Sequence, residues 1–351
     1  MQTREADRNP LTLLVTGGAG FLGRSIVHEA LSEASPLKVK ELRIYDLKKA
    51  EYPDDPRVTC IQGDIRDEEK LKQVLKGVDV VIHSAAIVDW GTYSEEEILS
   101  VNAGGTQKVV EACRIQGVKA LIFTSSLDVL YDGKPLRNVD ESHPYPGKHS
   151  TSYCKSKYLA EKLVIEANSA SLLTCSLRPA DIYGEGDPYH MGNLIGMAKT
   201  GFYVRLGDGS SRCQHVYVGN MAWAHLQAGA ALISGNSQLP GESYFVTDDQ
   251  ASNFFTFFDS IVEGAGYRIR PKSLWLPRGL AYGLGILSES IAWLIRPLYN
   301  YRPKMSRFAV TYTCTDYTFG PGKAMRDFGF APRYSKEVAF EKTVAYFKKP
   351  G

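Results

Sequence analysis

A glycine cluster near the start of the chain constrains the fold more than any other feature. A short apolar, β-rich run over 11–16 precedes it, and an amphipathic stretch over 22–31 follows. The three spaced glycines are Gly17, Gly20 and Gly23. Gly17 allows a tight turn, Gly20 lets the backbone approach a pyrophosphate, and Gly23 permits close packing of helix on strand. The sequence therefore predicts strand, dinucleotide-binding turn and helix.

An acidic residue ends the second predicted strand, as a dinucleotide site requires. A carboxylate at Asp46 would accept hydrogen bonds from the adenosine ribose and repel a 2′-phosphate, which favours NAD over NADP. Lys48 and Lys49 follow and could meet a phosphate, although solvated turn lysines are commoner. Asp64 is a candidate partner of the adenine amino group; helix capping by Asp64 or Asp67 is the alternative.

Strands alternate with helices over the first 180 residues or so. Further buried strands are predicted at 42–45, 58–61, 78–83, 120–124 and 172–177. Helices are predicted at 68–75, 95–116 and 153–167. This alternation predicts an α/β fold with a doubly wound (Rossmann) parallel sheet and helices on both faces.

Two units follow from the change of pattern near residue 183. We predict an NAD-binding Rossmann domain over 10–183 and a smaller C-terminal substrate-binding lobe over 184–351. Segments near 213–235 and 308–320 are candidates to return to the Rossmann domain.

Composition excludes several other classes of protein. Lys and Arg number 41 against 39 Asp and Glu, so the net charge of +2 gives no case for nucleic-acid binding. The six cysteines form no CxxC pair, so neither a zinc site nor structural disulfides are predicted, and no metal is expected. With no secretory signal in the first residues, we expect an intracellular protein in a reducing compartment.

A tyrosine and a lysine four residues apart are candidates for proton transfer. Tyr153 and Lys157 would lie on one helix face, where the lysine can lower the phenol pKa and hold a ribose. Tyr45 and Lys49 share this spacing by chance. Position in the predicted fold favours Tyr153 and Lys157 over the other pair. Ser126 follows the fifth strand and Tyr153 opens the next helix, which places both at the carboxyl edge of the sheet.

These motifs together carry a family resemblance over nearly the whole chain. The superfamily motifs are TGGAGFLG at 16–23, TSS at 124–126, YCKSK at 153–157 and LRPADIYGEGD at 177–187. They resemble the extended short-chain dehydrogenases/reductases. The block VYVGNMAWAH at 216–225 and the segment 295–332 resemble the 3β-hydroxysteroid dehydrogenase/Δ5-Δ4 isomerase branch.

The resemblance implies roles for the catalytic residues. Tyr153 would be the general base, Lys157 its pKa modulator and ribose ligand, and Ser126 the hydroxyl that orients substrate O3. The cofactor residues would be Gly17, Gly20, Phe21, Leu22, Gly23, Asp46, Asp64, Lys157 and Pro179. Asn102 matches a position near the nicotinamide, caps a helix or makes hydrogen bonds in the core. Arg178 either lies near the carboxamide or is a buried structural charge.

A large apolar substrate pocket is expected between two loops. They are 87–93, with Trp90, and 189–202, with Asn193. Isomerisation would need a base near C4, for which Asp128 is a candidate if strand alternation places it beside Ser126. The alternative for Asp128 is a solvent-facing carboxylate.

The resemblance implies NAD-dependent oxidation of a 3β-hydroxysteroid to the 3-ketosteroid, with Δ5-Δ4 isomerisation left open. The alternatives are a decarboxylating sterol-4α-carboxylate 3-dehydrogenase, a nucleotide-sugar epimerase or reductase, and a non-catalytic NAD-binding regulator. The partner is then a steroid or sterol small molecule, and a homodimer is left open.

One apolar segment, 279–295, has three interpretations. It is a lobe helix on the core, a helix resting on a membrane surface, or a span, although 17 residues with the central charge of Glu289 is short for a span. Peripheral membrane contact would place the protein on the cytoplasmic face of the endoplasmic reticulum or another internal membrane in a eukaryote, and otherwise in the cytoplasm.

Overall fold

A computed structural model describes most of the chain. It covers residues 10–52, 55–89, 93–248, 250–295, 305–320 and 322–349. Trp90, predicted in the substrate pocket, lies outside these residues.

A seven-stranded parallel sheet forms the centre of the molecule. From edge to edge its strands are β11 (Glu242–Val246), β7 (Leu173–Pro179), β5 (Ala120–Thr124), β4 (Val80–His83), β1 (Leu11–Thr16), β2 (Val39–Asp46) and β3 (Val58–Gln62). The strand order reverses between β1 and β4. At this point the connections from the carboxyl ends of the two strands run in opposite directions and leave a crevice. The prediction of a doubly wound α/β sheet is confirmed.

Helices cover both faces of this sheet. They are α1 (Phe21–Leu31), α2 (Glu68–Val74), α3 (Glu95–Leu99), α4 (Gly105–Gln116), α5 (Ser152–Glu166) and α7 (Val218–Ile233). Successive residues of β1 point to opposite sides: Leu13 and Val15 belong to the core that includes side chains of α1 and α7, whereas Leu14 belongs to the core that includes side chains of α2, α4 and α5. Strand periodicity thus divides the apolar side chains between two cores.

The remaining elements build the lobe. Its helices are α6 (His190–Thr200), α8 (Phe254–Gly264), α9 (Arg278–Ile295), α10 (Arg307–Thr313), α11 (Gly322–Phe328) and α12 (Lys336–Phe347). Short parallel strand pairs are β6 (Leu136–Val139) with β13 (Tyr317–Phe319), β8 (Asp181–Tyr183) with β10 (His215–Tyr217), and β9 (Arg205–Leu206) with β12 (Trp275–Leu276).

Segments beyond residue 183 complete the large sheet. On α7, Gly229 lies so close to Leu37, Ile122 and Val80 that an added Cβ would come within 3.1–3.8 Å of their side chains. β11 pairs with β7 as the edge strand, beyond the 213–235 segment singled out from the sequence. The lobe and the sheet therefore share chain segments.

Helix α9 does not insert into the core. Only Ala281 and Gly285 are buried. Its exposed apolar side chains are Leu280, Tyr282, Leu284, Ile286, Leu287, Ile291, Trp293 and Leu294. Among the helices in the described ranges, none has the length and apolarity to cross a membrane.

Candidate active site

The glycine turn between β1 and α1 leaves no space for larger residues. Gly17 has φ +72°, and an added Cβ would lie 2.7 Å from the Ala85 backbone. At Gly23 it would lie 2.1 Å from the Gly17 carbonyl oxygen. Gly20 is the N-cap of α1 and offers no side chain to the first-turn N–H groups. These donors, at the positive end of the helix dipole, fit a pyrophosphate.

The Asp46 carboxylate is fixed beside this turn. Its Oδ2 accepts from the Ala19 N–H at 3.0 Å and its Oδ1 from the Lys48 N–H at 2.8 Å. The turn and the carboxylate are therefore one hydrogen-bonded unit.

Asp64 and Asp67 have different roles at the end of β3. Asp67 caps α2 by accepting from the Lys70 N–H, so the capping alternative applies to Asp67. Asp64 forms an ion pair with Arg66 at 2.6 Å, and this guanidinium holds the pKa of Asp64 below its usual range. Asp64 lines the cleft beside Asp46.

Tyr153 and Lys157 lie in the first two turns of α5. Thr151 caps this helix by accepting from the Cys154 N–H. The Lys157 Nζ donates to the Thr124 carbonyl oxygen at 2.6 Å and lies 4.3 Å from the centre of the Phe123 ring. Burial lowers the pKa of Lys157 to about 7.

Ser126 is bonded to a buried carboxylate. It caps a short 3₁₀ turn, Leu127–Leu130, by accepting from the Asp128 N–H, and its Oγ donates to Asp128 Oδ2 at 2.7 Å. Burial raises the pKa of Asp128 to about 6. The solvent-facing alternative for Asp128 is therefore wrong. The turn, not strand alternation, brings Asp128 to Ser126, since β5 has already ended at Thr124.

The Tyr153 phenol is buried beside this pair. Burial and then the negative charge of Asp128 raise the pKa of Tyr153 well above 10, whereas a hydrogen bond with Ser126 lowers it. Without cofactor and substrate, Tyr153 is thus a neutral phenol.

One cleft joins the glycine turn to these side chains. Predicted site residues that line it are Gly17, Gly20, Phe21, Leu22, Gly23, Asp46, Asp64, Ser126, Asp128, Tyr153, Lys157 and Pro179. Asn193 does not line it. Because α6 buries the face that carries Met191 and Leu194, Asn193 points to solvent and donates to the Tyr189 carbonyl oxygen.

Asn102 and Arg178 hold the framework around the cleft. Asn102 lies in a π-helical turn, Ser100–Gly104, where its side chain bonds both backbone groups of Ile87 and the Ser156 hydroxyl. Arg178 pairs with Glu161 at 2.7 Å, with 2% and 0% of the two side chains exposed. For Arg178 the structure therefore shows a buried structural charge.

Sequence reasoning missed a second polar group in the cleft wall. Tyr312 donates to Asp181 Oδ1 at 2.6 Å, and His190 lies 3.8 Å from the same oxygen. Neighbouring carboxylates raise the pKa of His190 to about 9, against the lowering effect of burial. Asp181 lies within the quoted LRPADIYGEGD motif, but Tyr312 is 131 residues away in the chain, so no local pattern joins them.

Comparison with known proteins identifies the family. Residues 14–278 match the 3-beta hydroxysteroid dehydrogenase/isomerase family. The chain belongs to this family. Its relatives include the 3 beta-hydroxysteroid dehydrogenase type 7 of Mus musculus, 35% identical over 96% of this chain and 95% of the mouse protein. The Homo sapiens protein of the same name is 34% identical over 97% of this chain and 96% of the human one.

Solved structures share the fold of this 3β-hydroxysteroid dehydrogenase family member. An epimerase from Methanothermobacter thermautotrophicus superposes with a TM-score of 0.75 at 21% identity, covering 97% of this chain and 92% of its own. A dTDP-glucose 4,6-dehydratase from Streptomyces venezuelae, solved with NAD, also has a TM-score of 0.75 at 21% identity, covering 96% of this chain and 97% of its own. The chain is thus an oxidoreductase-family enzyme on a fold that nucleotide-sugar enzymes share.

Proposed function

We propose that this protein oxidises a 3β-hydroxysteroid or sterol to its 3-ketone with NAD. The observation that carries the proposal is the single cleft that connects the glycine turn and Asp46 with Ser126, Tyr153 and Lys157. The family assignment supports a steroid substrate, and the NAD bound by structural neighbours supports the cofactor.

NAD, when bound, supplies the acceptor for a hydride. The α1 N-terminus and the glycine turn would bind its pyrophosphate, and Asp46 its adenosine ribose. Lys157, one turn beyond Tyr153, would bind the nicotinamide ribose through its ammonium, which also favours the phenolate of Tyr153. Tyr153 takes the proton of the substrate hydroxyl, and Ser126 orients the same oxygen.

The charges of the cleft favour a neutral substrate over a nucleotide sugar. Among described residues that line it, the basic side chains are Lys48, beside the cofactor turn, Lys157, and His190, which lies 3.8 Å from Asp181 and 3.6 Å from Asp187. The two carboxylates offset the His190 charge, so these groups do not form a second diphosphate site. The cleft walls also include the apolar side chains of Ile87, Val88 and Ile182. Such walls suit a sterol ring system.

The test is a substrate panel read by NADH absorbance. It contains a 3β-hydroxy-Δ5-steroid, a sterol-4α-carboxylic acid and UDP-glucose, each supplied with NAD. We expect NADH with the steroid. NADH with the sterol acid together with CO₂ release would favour the decarboxylating alternative, whereas NADH or epimerised product with UDP-glucose alone would overturn the proposal.

Isomerisation is a second proposed activity, and Asp128 is its candidate base. Its Oδ2 is bonded to Ser126, while no described residue donates to the buried Oδ1. An ionised Oδ1 could remove the C4 proton and return it to C6, with the protonated Tyr153 donating to the enolate oxygen. A 3-keto-Δ5-steroid supplied directly should gain the 3-keto-Δ4 ultraviolet band with the unmodified protein but not with Asp128→Asn. An unchanged rate in the variant would exclude Asp128 as the base.

We also propose peripheral membrane contact through α9. Trp293 and Leu294 are 76% and 71% exposed at the end of this helix, and the apolar face continues through Leu287. Burying such a face in an interfacial layer removes apolar surface from water. Flotation with phosphatidylcholine vesicles should carry the protein upward and should be lost in the triple variant L287S/W293S/L294S. Equal flotation of both proteins would refute contact through α9.

A further inference from the structure

The Ser126 hydroxyl has one proton, for which the Asp128 carboxylate and the substrate oxygen compete. Its Oγ lies 2.7 Å from Asp128 Oδ2, so an ionised Asp128 accepts the one hydrogen bond that the Ser126 hydroxyl can donate. The substrate oxygen also needs it, because a ketone forming at C3 is an acceptor only. Oγ already accepts from the Asp128 N–H at 3.2 Å and has one further lone pair for a donor.

We propose that Asp128 is a positioning residue that sets the direction of the Ser126 hydroxyl, and that its neutral form is the one competent for dehydrogenation. In this form Asp128 Oδ2–H donates to Ser126 Oγ, and Ser126 donates to substrate O3. No proton is transferred along these two hydrogen bonds. Tyr153 receives the O3 proton and the hydride leaves from C3. The inference rests on the proposed dehydrogenase function.

The surroundings of Asp128 favour the neutral carboxyl. The side chain is buried, and Asp181 faces it with a like charge, while His190 and Lys157 oppose this effect. Burial is the largest influence, and it raises the pKa of Asp128 to about 6. An ionised Asp128 would also raise the pKa of Tyr153 and so oppose the phenolate.

Other titratable groups around Asp128 stay neutral near pH 7. They are Tyr131, Tyr153, Cys154, Tyr312 and Tyr317. Burial raises the pKa of each of them above its ordinary value. Lys157 and His190 do titrate nearby, with pKa values of about 7 and about 9. The pH profile of the wild type alone therefore does not assign an ionisation to Asp128, and a variant is required.

The first test compares pH profiles of kcat/KM for NADH formation. Asp128→Asn presents an uncharged N–H donor to Ser126 at every pH. Its kcat/KM should therefore lack the decrease at high pH that we expect for the wild type. The ratio of kcat/KM at pH 9 to that at pH 7 should rise by about tenfold or more, since one ionisation changes a rate about tenfold per pH unit. Asp128→Ala, which no longer holds Ser126, should be slower than Asp128→Asn throughout.

Two outcomes overturn the proposal. One is a pH 9 to pH 7 ratio in Asp128→Asn equal to that of the wild type. The other is Asp128→Asn no faster than Asp128→Ala while its circular dichroism spectrum is native. If the wild type itself forms no NADH with any steroid, the proposed function fails instead.

A second test needs neither substrate nor cofactor. With ¹³C-carboxyl-labelled aspartate, the resonance missing in Asp128→Asn should titrate near pH 6 in the wild type. Ser126→Ala should move this midpoint upward, because the Ser126 hydrogen bond lowers the pKa of Asp128. A midpoint at the ordinary aspartate value of about 3.9, or no shift in Ser126→Ala, would contradict the coupling.

Discussion

The buried ion pair between Arg178 and Glu161 gives a prediction whose size follows from the structure. Arg178 donates to Glu161 through Nε and Nη2, and Ser176 and Tyr145 complete the carboxylate's hydrogen bonds. Arg178→Met keeps most of the apolar stem but leaves the carboxylate buried without its cation. Breaking a buried pair from one side costs about 3–5 kcal/mol. That is a large part of the roughly 5–15 kcal/mol by which a native protein is stable.

Urea unfolding followed by circular dichroism measures this change. Lys162→Met is the matched control, because Lys162 and Glu166 are 3.4 Å apart with side chains 46% and 64% exposed. Exposed helix pairs contribute about 0.3–0.5 kcal/mol. The double variant E161L/R178M should recover much of the loss, since it removes both charges. A cost for Arg178→Met no greater than that for Lys162→Met would refute the reasoning.

The pair also predicts an effect of acid on stability. Burial alone would raise the pKa of Glu161, but Arg178 holds it below its usual range. The stabilisation is then complete above the unfolded value of about 4.3 and is lost as the pH falls through the lower, folded value. In Arg178→Met this acid-dependent loss should be absent, and a wild-type dependence of the unfolding free energy on pH in the variant would contradict it.

Two further predictions concern the cofactor site. Gly23→Ala should weaken NAD binding by at least about tenfold in calorimetry, because its Cβ would lie 2.1 Å from the Gly17 carbonyl oxygen and displace the turn. The control is Gly196→Ala, whose Cβ would meet nothing within 4 Å. Equal NAD affinities of the two variants would count against a pyrophosphate at the turn. Asp46→Ala should weaken NAD binding by about 10- to 150-fold, corresponding to one charged hydrogen bond of roughly 1.5–3 kcal/mol, and should reduce the preference for NAD over NADP. An unchanged ratio of the NAD and NADP affinities would remove Asp46 from the ribose site.

Local patterns predicted the sheet and the glycine turn because both depend on short-range physics. The strand predicted at 120–124 coincides with β5, Ala120–Thr124. The helix predicted over 95–116 is present as α3 and α4 joined by the π-helical turn, a hydrogen-bonding irregularity that apolar periodicity does not reveal.

Contacts between distant segments were beyond sequence reasoning. Asp128 is buried in the 3₁₀ turn after β5, and the like charge of Asp181 adds to the effect of this burial on its pKa. Neither feature follows from spacing along the chain. Asn193 was placed in the pocket from its loop, but the observed helix α6 turns it to solvent. The exposure of α9 depends on how other elements pack against it, and the sequence of α9 alone does not reveal this packing.

Replacement of the Tyr153 phenol by Phe tests the central claim most directly. NADH formation and NAD affinity are measured on the same preparations, with a 3β-hydroxysteroid as substrate. We expect Tyr153→Phe to lower kcat by about 10²–10⁴-fold, the contribution of a positioned general base, while NAD binds as it does to the wild type. Turnover within about tenfold of the wild type would contradict the role of Tyr153 as the base and with it the proposed dehydrogenase mechanism.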